Sequence, residues 1–141
     1  MRLILNLLFL FIPIFCFSQD VSDIGKMTYY EVKKSQRYSP CEETPNEILT
    51  YCVQGGHKIS FFFRNRILFG IANSTAHSTR YSAERDLDKN ISDFQRNTGI
   101  VPIRESGNTI FASTNSPILS AHKVEFLDGT YFYINLVQLV K

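Results

Sequence analysis

Three histidines, His57, His77 and His122, are the side chains best suited to move a proton near neutral pH or to hold a metal. Their spacing supports no metal motif. No two stand at i, i+4 or as His-x-His, the spacings that bring two imidazoles to one ion, and no acidic ligand stands at motif distance. No cofactor or metal is expected. Nucleophilic hydrolysis lacks a Gly-x-Ser-x-Gly elbow, so no catalytic residue is assigned. The acids with a claim to acid–base work are Glu42, Glu43, Glu84, Asp86, Asp88 and Asp93. They lie in a loop or on a charged helix face, where solvation explains them. Gly55-Gly56 leads into a strand and not a helix, so it reads as a turn and not as a phosphate cradle.

The polar stretch Ser74-Thr75-Ala76-His77-Ser78-Thr79-Arg80 stands out. It precedes the one clear helix, whose free N–H groups and positive dipole end favour an anion. Ser74, Thr75, His77, Ser78 and Arg80 are the binding candidates, against the plainer expectation that one hydroxyl caps the helix and the rest meet solvent.

That helix spans 82–98, where Ala83, Leu87, Ile91 and Phe94 recur at helical spacing among charged residues, and Gly99 ends it. Its N-terminus can start as early as Thr75. Before it, alternation over 27–34 predicts a strand, 35–46 a Pro-containing loop, and 48–53 a strand. Over 48–53 a Thr-Pro-x-Glu start favours a helix, but β-forming side chains decide for strand. Residues 57–72 form a hairpin. Parity favours a three-residue loop, Arg64-Asn65-Arg66, pairing Phe63 with Ile67 and Phe61 with Phe69 so that both apolar rows share a face. After the helix, strands are expected near 109–113, 118–127 and 130–140, the last two joined at Asp128-Gly129. The fold class is α+β: an antiparallel sheet of about six to seven strands, ordered β-β-β-α-β-β-β, wrapped around one amphipathic helix. In architecture this resembles cystatin-like and NTF2-like domains. The element order differs from the usual cystatin one and the inhibitory Gln-x-Val-x-Gly is absent, so the likeness carries no function.

The N-terminus has another task. Met1-Arg2 is followed by an apolar run over 3–17 and by Cys16-Phe17-Ser18, the pattern of a signal peptide over 1–19 cleaved after Ser18 or Gln19. Phe15 before Cys16 speaks against lipid attachment there. The remaining chain, residues 20–141, is one exported domain with its ordered core over about 27–141. Its two cysteines, Cys41 and Cys52, are expected to form a disulfide in the periplasm or at the cell surface. The net charge of +2 comes without a Lys/Arg cluster, which argues against nucleic acid, and no membrane span remains after cleavage.

These readings lead to a non-enzymatic module that binds a protein, peptide or envelope component. Tyr29, Tyr30, Phe62, Tyr131 and Tyr133 are the aromatics with a claim to its binding surface. The alternatives are an exported hydrolase with a non-motif active site and a small-ligand carrier. A pocket holding His77 or His122 within hydrogen-bond reach of a serine or carboxylate favours the hydrolase.

Overall fold

Thr28 and Glu31 begin the first helix, because each side chain accepts from the other residue's backbone N–H and so closes a capping box. In the structure, a computed structural model that describes residues 21–113 and 115–140, α1 therefore runs Tyr29–Ser35 where alternation predicts a strand. The apolar segment over 3–17, its cleavage point and Cys16 lie outside the described residues. Ile24, ahead of the ordered core expected from about residue 27, is buried in the core.

A short 3-10 turn at Val21–Asp23 precedes α1, and the remaining elements are β1 Glu42–Thr44, β2 Ile48–Val53, β3 His57–Arg64, β4 Ile67–His77, α2 Arg80–Thr98, β5 Ile103–Glu105, β6 Asn108–Ala112, β7 Ile118–Leu127 and β8 Thr130–Leu139. The fold is α+β, one eight-stranded antiparallel sheet in the order β1-β2-β3-β4-β8-β7-β6-β5 with one long helix. The strand count exceeds the expected six to seven, partly because β1 forms inside the expected loop. Cys41 and Cys52 are bridged, Cα to Cα 5.8 Å, which ties the entry of β1 to β2.

The β3–β4 hairpin corrects the loop assignment. Its turn has two residues, Asn65 and Arg66, both at positive φ (51° and 66°), the conformation that matches strand twist. Phe63 then pairs with Leu68, and a bulge moves the register so that Phe61 pairs with Ile71. The extra residue, Phe69, repairs the parity that a two-residue loop otherwise breaks. Phe61, Phe63, Leu68 and Ile71 all end on the buried face. Beyond the bulge β4 continues through Asn73–His77, so that stretch is strand and not linker. Gly56, at φ 76°, completes the preceding turn, where a Cβ would stand 2.9 Å from that of Ala76.

The two halves of the chain repeat one plan, a helix followed by four antiparallel strands. They join where β4 pairs with β8, around the facing pair Asn73 and Asn135. The turns Asn65-Arg66 and Asp128-Gly129 occupy matching positions. Both helices lie on one face. Tyr29 and Val32 of α1 pack on Leu49, Phe61, Phe63 and Leu68. α2 lies over β7, β8 and β4, burying Ala83 and Ile91 and setting Phe94 against Phe111, ring centroids 4.4 Å apart. Gly99, at φ 69°, caps α2 by donating its N–H to Gln95 O, 2.8 Å.

Candidate functional site

Strand alternation scatters the five binding candidates. Ser74 points to the helix-free face of the sheet, opposite Ile134. Thr75 points to the helix-bearing face and hydrogen-bonds His57 Nδ1, 3.0 Å. Ser78 is exposed in the bend after β4. Arg80, the first residue of α2, pairs with Glu84, Nε to Oε1 2.7 Å. The helix N-terminus is closed by Thr79, whose Oγ1 accepts from Ser82 N, 3.2 Å. The anion site expected from these five residues together is not assembled.

His77 alone enters a site. Its Nε2 donates to Asp86 Oδ2, 3.1 Å, and Asn90 Nδ2 donates to Asp86 Oδ1, 2.9 Å, so both carboxylate oxygens are engaged. Asp86, expected as a solvated charge, instead links α2 to the end of β4. Because Asp86 is an acceptor, the hydrogen on Nε2 points to it, and in the neutral imidazole Nδ1 is the acceptor. The pair opens into a groove of about 510 Å³, also lined by Tyr81, Ser82, Arg85 and Lys89. Ser82 is no nucleophile for it, since its hydroxyl donates to Thr79 O, 3.0 Å, and accepts from Thr79 Oγ1, 3.1 Å.

A second histidine network lies under α2. Ser120 Oγ donates to Asn135 Oδ1, 3.1 Å, and lies 3.1 Å from His122 Nε2, while Tyr133 OH lies 2.7 Å from His122 Nδ1. Asn135 Oδ1 only accepts, so the serine proton is committed to it. His122 Nε2–H must therefore donate to Ser120, and Nδ1 accepts from Tyr133. Burial pushes the His122 pKa down and keeps the Tyr133 phenol protonated, both consistent with this direction. A histidine that donates to a serine cannot be its base. The network is a satisfied polar core, with Phe94 and Phe111 against the imidazole.

Ser120 and Lys123 also stand at Ser-x-x-Lys spacing, the arrangement of some serine hydrolases. On a strand that spacing sends the two side chains to opposite faces, and Lys123 Nζ instead pairs with Glu125 Oε2, 2.7 Å. The pair does not meet.

The third feature is the helix-free face of the sheet. Register places Ala72 and Ala76 of β4, Phe132, Ile134 and Leu136 of β8, Leu119 of β7, Ile110 of β6 and Ile103 of β5 side by side there. Paired charges flank this apolar band, Lys58 with Glu42 and Lys123 with Glu125. Neither described helix covers it. Of the aromatics with a claim to a surface, Phe62 is half-buried on this face, whereas Tyr29 and Tyr133 are buried on the other, Tyr131 packs at a tilt against Phe126 with ring centroids 4.6 Å apart, and Tyr30 is exposed. The burial of Tyr29 and its hydrogen bond to Glu43 raise its pKa to about 12.

No described helix is long and apolar enough to cross a membrane, and no group of three or more metal-ligating side chains occurs among the described residues. Comparison with family models, with curated proteins and with solved structures finds no match to this chain.

Proposed function

We propose that the chain is a small exported, non-enzymatic binding domain that takes a protein, peptide or envelope component on the helix-free face of its sheet. The observation that carries this reading is the apolar band running from Ala72 through Phe132, Ile134 and Leu136 to Leu119 and Ile110 with neither described helix over it. An uncovered apolar surface of this kind is stabilised when a partner removes it from water. The Cys41–Cys52 bridge and the signal-like run over 3–17 support an oxidising location, the periplasm or the cell surface.

The test is capture from the native envelope fraction with the tagged exported domain, beside an Ile134→Ser, Leu136→Ser variant. The wild type retains a partner that the variant loses, while the two share a near-UV circular dichroism spectrum. Equal capture by both overturns the reading, as does no capture by either.

A second reading, an exported hydrolase, draws on one observation, the Asp86-oriented His77 in an open groove. With no hydroxyl or thiol hydrogen-bonded to it among the described residues, such a histidine would serve hydrolysis by taking a proton from a bound water. Turnover of ester, phosphate or peptide substrates that disappears in His77→Gln supports it, and activity indifferent to that change removes it.

A further inference from the structure

The groove over His77 combines three features that no core requirement explains. First, His77 Nδ1 has no partner among the described residues, on an imidazole whose side chain is 17% exposed and is held in place by Asp86. Second, Arg85 and Lys89, one helical turn apart, line the same groove, and neither has an ion-pair partner among the described residues. Third, Tyr81, 74% exposed, stands in the lining one turn before Arg85. Asp86 also lines the groove and keeps its negative charge, since hydrogen bonds from His77 and Asn90 do not remove it, so it offsets one of the two cations and leaves the other in excess.

The geometry points to a ligand site in this groove for a small molecule that carries an oxyanion beside a hydroxyl group, as sugar phosphates and sugar acids do. The hydroxyl donates to His77 Nδ1, the anionic oxygens lie between Arg85 and Lys89, and the Tyr81 ring covers the apolar face of the sugar. An oxyanion alone uses only the cations and a neutral sugar only the imidazole and ring, so the groove favours a molecule with both. This site is on the helix-bearing side of the sheet. It goes beyond the sheet-face reading and survives or fails independently of it.

Titration of the isotopically labelled exported domain with four probes tests this, following backbone amide and histidine side-chain NMR signals. Glucose 6-phosphate and glucuronate represent phosphate and carboxylate sources, and inorganic phosphate and glucose each represent half of the ligand. The expected result is saturable movement of the His77 and Arg85 signals by at least one of the first two, roughly ten-fold tighter than by either half probe. The double variant Arg85→Gln, Lys89→Gln should weaken binding by about ten-fold or more. His77→Phe should bring the hydroxylated probe down to the affinity of inorganic phosphate. No saturable movement with any probe overturns the proposal. So does inorganic phosphate binding as tightly as the sugar anions, or a double variant with wild-type spectra that binds unchanged. If only glucuronate or only glucose 6-phosphate binds, the site stands and the anion is identified.

Discussion

The buried donation from Tyr133 through His122 to Ser120 makes a stability prediction with a sign. Inside the fold His122 has no acceptor to spare for a second proton, because Nδ1 is the acceptor of the Tyr133 hydroxyl. Its pKa is held below the ordinary 6.5 by burial. The unfolded chain therefore binds a proton near pH 6.5 that the folded chain refuses, and stability must fall as pH drops below that value until the folded group also protonates. The loss is up to about 1.4 kcal/mol per pH unit, hence up to about 2 kcal/mol between about pH 6.5 and pH 5. His122→Gln keeps a donor and an acceptor but cannot titrate. Urea unfolding of both proteins between about pH 8 and pH 5 separates the slope from the cost of the substitution itself. The expected result is a wild-type minus variant difference that is flat above about pH 7 and shrinks steadily towards pH 5. Glu31 and Glu43, held below the usual carboxylate range by hydrogen bonds, act in a lower window, since their contribution is present above about pH 4.5 and lost only beneath it. Parallel pH profiles for the two proteins would refute the buried neutral imidazole.

Two further outcomes follow from packing and covalent structure. Phe94→Ala should lower unfolding free energy by about 3 kcal/mol in denaturant titration, because its ring seats on Phe111 beneath α2; a change near zero means α2 is not anchored there. Reduction of the exported protein, which adds two electrons and two protons to the bridge, should raise its intact mass by two hydrogen atoms, and replacing Cys41 and Cys52 by Ala should cost about 2–3 kcal/mol, since the bridge closes a short loop.

Much of the second half was legible from local signals. Asp128-Gly129 and the alternating runs beside it define β7 and β8, because a two-residue turn sets the register of everything behind it. The same register puts His122 opposite Asn135 and Ser120 two residues away on one face, so part of the buried network is encoded in local pairing alone. What the sequence concealed has physical causes. Over 27–34 the alternation of Tyr30 and Val32 with charges competes with Thr28-x-x-Glu31, and the capping box wins because it satisfies backbone N–H groups that an isolated strand there would leave open. The Phe69 bulge is invisible to a parity argument that assumes an unbroken ladder. The His77–Asp86 pair joins a strand end to the second turn of a helix, and no local spacing encodes the angle at which α2 crosses the sheet. The apolar band was hidden differently: alternation assigns residues to faces, but only the position of the helices says which face stays bare.

The repeated plan of the two halves has a topological consequence. Val21 shares the lining of a small cavity with Ile118 and Val137, Gly25 lies against Leu139, and Val140 N donates to Pro117 O, 2.6 Å. The first and last described residues thus lie beside the same strands. Joining them and reopening the chain at Ser78, between β4 and α2, yields a circular permutant whose elements again read helix, four strands, helix, four strands. Neither half has to come first. The fold is closer to a ring cut at one of two equivalent points than to a line with a beginning, and the covalent order of its halves is a choice that the β4–β8 seam does not dictate.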